Sequence, residues 1–340
     1  NKSIDFFPVV YVNGENNKSL IPLTFRFVIG LLISLFKIKY SGTLLFQRFE
    51  YFLPFKYNKN VKRFLVVHND LQRQIDPKTS ELLWAKLPRV FNMLFFNIIQ
   101  SSDFIFSVNS NSVSYIREQS KALTDKVDFY PTWADPDIFF PCYMDKRSKI
   151  KKKMALQFNV SSEKRWLLFV GRFQKQKNIP LLIKTMEKIT DNSVLLMAGA
   201  GNEMHYIKNM VTELSLDQKI VFLGNIPHSD LRELYSASDI YISTSNFEGM
   251  SVALLESLQT GTAVVTTPTG ESKRIVKNGI NGIVTSGWDV TELVEALNSI
   301  SDVDDNSIKR CSDSVKAYSA SVIVSSIVDR MDRVIELPKK

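Results

Sequence analysis

Residues 240–257 read IYISTSNFEGMSVALLES. The opening residues, Ile240–Ser243, form a short apolar run of the kind found in buried strands. A polar loop with one glycine, Gly249, follows, and near Ser251 the chain turns helical. Strand, glycine loop and helix in so short a span make one unit of a parallel sheet wrapped by helices. The first amides of such a helix lack partners within it, and with the helix dipole behind them they make an anion site. Two carboxylates flank this point. Glu248 stands just before the helix, and Glu256 lies eight residues further on, inside it. Eight residues are a little over two turns of about 3.6 residues each, so Glu256 is no cap. Leu254, Leu255 and Leu258 turn it toward the sheet, where a charge is costly. Either it accepts from a pair of ligand hydroxyls, such as those of a ribose, or a lysine across the interface pairs with it.

The same alternation extends outward. Trp166–Val170, Ser193–Ala198 and Ile220–Leu223 precede this unit as strand candidates, and Ala263–Thr266 and Gly282–Val284 follow it. The first half repeats the scheme over Phe6–Val12, Thr43–Gln47, Arg63–His68, Phe104–Val108 and Val127–Tyr130, with helical patterns over Ser80–Gln100 and Ser112–Gln119. Two α/β domains are expected, and 340 residues exceed the usual size of one core. Near Pro141–Lys153 the tract DKRSKIKKK breaks both patterns and reads as a solvated linker or helix start. The expected division is residues 1–145, residues 146–320, and a last helix over 321–340 returning to the first domain.

An apolar share of 44% with 23% charge excludes a disordered chain. Cys142 and Cys311 stand far apart without metal-type spacing, which sets aside a zinc or disulfide framework and suits a reducing compartment. The net charge of +8 is uneven: residues 1–150 hold 20 Lys and Arg against 13 Asp and Glu, and 18 of the 23 phenylalanines. Such a half suits an anionic membrane surface or an anionic lipid-linked substrate. No nucleic-acid module accompanies the charge, so nucleic acid is not an expected partner. The longest apolar run, Phe27–Phe36, falls well short of the roughly 20 residues a bilayer requires. It reads as a buried helix, with a lipid-touching surface flanked by Arg26, Lys37 and Lys39 as the alternative. The chain opens on Asn1 with no secretion-signal pattern, so its start reads as processed or truncated.

Ligands of open parallel sheets bind beyond the carboxyl ends of the strands. After Trp166–Val170 comes GRFQKQKN, in which Gly171 allows close approach while Arg172 and Lys177 offer a planar fork and a point charge for phosphate oxygens. Taken alone, the stretch is equally well a solvated basic loop. Gly199-Ala200-Gly201 after the next strand is a weak signal, since such turns often need positive φ. Gly224-Asn225-Ile226 then offers a backbone edge that can read a nucleobase. His228, with no partner in sequence, reads as a surface residue at a helix start rather than a catalyst.

Together, GRFQKQKN, LLMAGAGNE, VFLGNIPHSDLRELYSASDIYISTSNFEGMSVALLES and GTAVVTTPTGESKRIVKNGINGIV resemble family-four glycosyltransferases of the GT-B fold. The resemblance covers nearly the whole second half, and Glu248 and Glu256 match that family's paired glutamates. It implies two Rossmann-like α/β domains whose parallel sheets face across a cleft, and retaining transfer from a nucleoside-diphosphate sugar of the UDP or GDP type. Arg172 and Lys177 would hold the diphosphate, Glu256 the ribose and Glu248 the transferred sugar. The amides of Gly249, Met250 and Ser251, with Val252 beside them, would face sugar and phosphates. His68, otherwise equally a core or a site residue, matches a histidine near the transferred sugar. No Asp-x-Asp metal motif is evident, so neither a metal nor another cofactor is expected.

The sequence departs from the family pattern in three places. Pro131-Thr132-Trp133-Ala134-Asp135 replaces the usual Asn-Gly before the hinge aspartate, and Thr269-Gly270, with Arg274, replaces a Gly-Gly and glutamate. The glycine-rich loop that opens the family's first domain has no counterpart, so a first strand and helix are expected to be missing. The acceptor is expected to be a glycan or a polyprenyl-linked glycan of surface-polysaccharide assembly, handled in the cytoplasm or on the inner face of the plasma membrane. A GT-B epimerase or phosphorylase is the rival enzyme. The rival of another class is a non-catalytic subunit that keeps the fold and supports a partner glycosyltransferase, and the expected protein partner is such a glycosyltransferase or, in a homo-oligomer, a second copy of the chain.

Overall fold

Runs of β-branched and aromatic residues become strands here because helices cover them from both faces. The computed structural model describes residues 29, 41–77 and 83–336. The strand expected over Phe6–Val12 and nearly all of Phe27–Phe36 lie outside these residues. The described residues form two Rossmann-like α/β units, each built on a parallel sheet.

The first unit takes residues 41–68, 87–130 and 328–336. Its strands β1 (Gly42–Phe46), β2 (Val61–Val67), β3 (Phe104–Ser107) and β4 (Val127–Phe129) lie side by side in chain order. Helices α1 (Pro88–Ile99) and α2 (Ser110–Gln119) pack on them. The helix expected over Ser80–Gln100 is thus shorter, because Pro88 cannot continue a preceding turn and instead starts α1. Phenylalanines fill the core: Phe52 and Phe55, in a 3-10 stretch over Phe49–Phe55, lie against Phe46 at ring distances of 5.0 and 5.5 Å.

The second unit takes residues 69–77, 83–86 and 131–327. Its strands are β5 (Arg165–Val170), β6 (Ser193–Ala198), β7 (Ile220–Gly224), β8 (Ile240–Ser243), β9 (Ala263–Thr266) and β10 (Gly282–Val284). The order across the sheet is β10-β9-β8-β5-β6-β7, all parallel. Chain order therefore reverses between β5 and β8, and in such a sheet the crevice for a ligand opens at the carboxyl ends of that pair.

The lysine tract forms the first turns of α3 (Met144–Phe158), so of its two readings the helix start holds and the linker does not. Arg147 on it is buried, donating to Ser238 O and, at 3.3 Å, to Thr262 Oγ1, while Lys151 pairs with Asp239 at 2.8 Å. The tract and residues 131–143 thus belong to the second unit rather than ending the first. Further along run α4 (Ile179–Lys188), α5 (Met204–Glu213), α6 (Leu231–Ala237), α7 (Val252–Gln259), α8 (Val290–Ser299) and α9 (Asp305–Ser314). The last helix, α10 (Ala320–Glu336), is divided between the units from Val328 onward. Among the described residues no helix is long and apolar enough to cross a membrane.

Candidate active site

The loops after β5 and β8 flank the point where strand order reverses, and they carry Gly171–Lys177 and Thr244–Ser251. Lys177 Nζ lies 2.6 Å from Glu248 Oε1, and Ser245 Oγ donates to the same oxygen at 2.7 Å. Among the described residues Glu248 Oε2 accepts only from Gln176 Nε2, at 3.5 Å. Arg172 is exposed and, among the described residues, makes no hydrogen bond or ion pair. A guanidinium with no partner among the described residues leaves its positive charge open to an anion.

Side chains take up the carbonyls leading to Glu248. Trp288 Nε1 donates to Ser245 O at 2.8 Å, Arg73 to Asn246 O at 2.9 Å, and Gln176 Nε2 to Phe247 O at 2.9 Å. The Arg73 guanidinium lies 5.3 Å from the centre of the Trp288 ring. With its carbonyls fixed, the loop holds Glu248 in one place. Arg73 belongs to a single helical turn, Leu71–Gln74, capped by Asp70 and joined to the second unit although it follows β2. Sequence reading passed over Arg73 and Trp288; the Asn69-Asp70 cap was the available signal for the turn.

Ser251 caps α7, accepting from Leu254 N at 3.3 Å, while Val252 at its first position is exposed. Met250 Sδ receives the Thr132 amide at 3.3 Å. Gly249 is buried under Gly270, where a side chain is impossible: φ is +52° and a Cβ would come within 2.4 Å of Gly249 O. Gly199 meets the same limit, since a Cβ there would lie 1.9 Å from Gly171 O, so the loops after β5 and β6 touch. Gly224-Asn225-Ile226 ends β7 beside them, and space above Gly224 is open.

Glu256 is only 4% exposed and has partners, though none is a lysine. His228 Nε2 lies 2.7 Å from its Oε1, and Tyr235 OH donates to Oε2 at 3.1 Å. Burial, then the charge of Glu256, holds the Tyr235 hydroxyl protonated well above the usual tyrosine range. His228 is an exposed residue at a helix start, as its sequence position suggests, but it also touches the glutamate, a contact across 28 positions that no local pattern announces. Arg274 turns back on Glu271 at 2.8 Å. His68 ends β2 in the first unit, with Nε2 2.6 Å from Gln47 Oε1, and partial burial lowers its pKa.

The chain does contain two Asp-x-Asp pairs, and both serve the backbone. Asp304 caps α9, and Asp135 accepts from Asp137 N at 2.9 Å. Among the described residues no group of three or more His, Cys, Asp or Glu is placed to hold a metal.

Comparison with known proteins bears on this geometry. Residues 151–317 match the family described as Glycosyl transferases group 1. An uncharacterized glycosyltransferase of Methanocaldococcus jannaschii is 35% identical over 126 residues, 36% of this chain and 32% of that protein. The UDP-Gal:alpha-D-GlcNAc-diphosphoundecaprenol alpha-1,3-galactosyltransferase of Escherichia coli is 27% identical over 52% of this chain and 46% of its own length. The chain thus spans about half or less of the length of these curated relatives. Among solved structures, sucrose-phosphate synthase from Thermosynechococcus elongatus superposes with a TM-score of 0.77 over 97% of this chain and 82% of that one, at 20% identity. At that identity the likeness establishes the GT-B fold alone.

Proposed function

We infer from residues 151–317, which belong to the group 1 glycosyl transferases, that the chain moves a sugar from a nucleoside-diphosphate donor to an acceptor with retention of anomeric configuration. The observation that carries this reading is the Lys177–Glu248 pair beside the unpartnered Arg172, at the point where strand order reverses. The diphosphate gains charge as the glycosidic bond breaks. Arg172, Lys177 and the amides at the start of α7 stabilise that charge, a fixed positive field in place of a metal. Lys177 positions Glu248 through Oε1 and leaves its Oε2 for hydroxyls of the sugar. Glu256, held by His228 and Tyr235, accepts from the ribose. The remaining task is to hold the acceptor hydroxyl close to the anomeric carbon. The role of His68 is carried by the resemblance alone.

The Escherichia coli relative acts, by its name, on a diphosphoundecaprenol-linked sugar. A polyprenyl-linked glycan is the acceptor proposed here, taken up in the cytoplasm at the inner face of the plasma membrane, where the buried free thiols of Cys142 and Cys311 are stable. Release of nucleoside diphosphate from a panel of UDP- and GDP-sugars, with acceptor extracts, tests the reading. Release from at least one donor, strongly lowered in Arg172→Ala, supports it. No release from any donor, or release unchanged in that variant, overturns it.

A further inference from the structure

Helix α1 carries apolar residues on its exposed side as well as on its buried one. Phe91, Phe95, Ile98 and Ile99 face the core, while Val90, Met93 and Leu94 face outward and are 40%, 65% and 39% exposed. Leu87, just before its first turn, is 49% exposed. A surface helix normally turns charged and polar residues, not a row of large apolar ones, toward solvent. The apolar surface continues beyond the helix. Lys56 Nζ donates to Asn97 Oδ1 at 2.7 Å and joins the exposed side of α1 to the 3-10 stretch, where Leu53 is 46% and Tyr57 83% exposed.

The charge around this surface has one sign. Arg89 lies on the exposed side of α1, and Lys56 and Lys59 edge the neighbouring stretch. No acidic residue occurs in α1, and the nearby Glu50 is paired with Arg48 at 3.0 Å. A second copy of the chain docking face to face would bring like charges together, which is unfavourable. An anionic bilayer instead takes apolar side chains into its acyl boundary and binds the basic rim at its headgroups, with tyrosine and lysine reaching between the layers. We propose that the outer face of α1, with Leu53 and Tyr57, docks the protein on an anionic lipid membrane. The neighbouring Phe52 and Phe55 are buried, and Lys62 is engaged with Val334 O at 3.1 Å, so they take no part in this surface.

Co-sedimentation with vesicles of phosphatidylcholine, alone or mixed with phosphatidylglycerol, tests the proposal without donor or acceptor, so its outcome is independent of the transfer reading. The wild-type chain is expected to bind only the mixed vesicles, and less as salt shortens the Debye length from about 10 Å at 0.1 M to about 3 Å at 1 M. Met93→Glu with Leu94→Glu, both on the exposed side, is expected to lower partitioning at least roughly tenfold, since it puts two negative charges against a negative surface. Arg89→Glu keeps the apolar face and is expected to weaken binding and flatten its salt dependence. Retained melting temperatures confirm that both variants fold. Equal binding to neutral and mixed vesicles, no binding to either, or wild-type binding by the double variant overturns the proposal. So does a concentration-dependent dimer that the double variant abolishes while the wild type ignores vesicles.

Discussion

Replacing Glu256 separates a ligand-binding role from a structural one. Its carboxylate is nearly inaccessible and already accepts from the fully buried Tyr235 hydroxyl and from His228. Glutamine keeps the volume and an oxygen for Tyr235 but removes the charge. A hydrogen bond to a charged group is worth about 1.5–3 kcal/mol and a neutral one about 0.5–1.5 kcal/mol. Losing the difference, about 1–1.5 kcal/mol, weakens nucleoside-diphosphate binding roughly five- to tenfold. Glu256→Gln should therefore change affinity with little change in melting temperature. Glu256→Ala also strands the Tyr235 hydroxyl, at a cost of about 1–3 kcal/mol, or roughly 2–12 °C in melting temperature for a domain of this size. Isothermal titration with UDP and GDP, beside scanning calorimetry of each variant, reads both effects. If both variants melt as expected yet bind nucleotide as tightly as the wild type, Glu256 is only a partner for Tyr235 and His228, and the ribose assignment is wrong.

Four further outcomes follow from the same geometry. Arg172→Ala and Lys177→Ala should lower turnover roughly a hundredfold at saturating donor with smaller changes in affinity, because phosphate charge grows in the transition state; lost affinity with turnover unchanged would point to plain binding. Trp288→Phe keeps a ring under Arg73 but loses the bond to Ser245 O, and should cost turnover roughly threefold to tenfold in steady-state kinetics, about 0.5–1.5 kcal/mol, with nucleotide affinity unchanged. Gly270→Ala meets a left-handed backbone and Gly249 O, and should lose more than the about 1–2 kcal/mol of the conformation alone in urea unfolding, together with nucleotide affinity. Burial pushes the Cys311 thiol from 9.0 up to about 11. Its folded pKa is thus above the unfolded one, so the stability it contributes is complete below pH 9.0 and is lost as pH rises through about 11. That loss, on the order of 2–3 kcal/mol, should show in urea midpoints and be absent from Cys311→Ala.

The strands of the second unit were legible because each is a short apolar run closed by glycine or polar residues, as at Trp166–Val170 and Ile240–Ser243. The candidate glutamates were legible for a different reason: a charge inside the apolar run LLESL has no ordinary place in a core. What holds them was not legible. The His228–Glu256 and Trp288–Ser245 contacts join residues 28 and 43 positions apart, and their partners come from different turns of the fold. Arg147 was misread for a nearer reason. Net charge dominated the reading of its tract, although Arg147, Met154 and Ala155 share one side of a helix, the side that proves buried. The phenylalanines of the first half were ambiguous between core and lipid. Burial of Phe52 and Phe55 resolves those two toward the core and leaves Met93 and Leu94, which no composition count singled out, on the surface.

A crystal structure with a bound nucleoside diphosphate tests the central claim most directly. The account predicts the diphosphate within hydrogen-bond distance of Arg172 and the first amides of α7, and the ribose hydroxyls on Glu256. A nucleotide seated elsewhere, for example in the roughly 650 Å³ groove that Tyr206, Met210 and Val294 line between α4, α5 and α8, would contradict it.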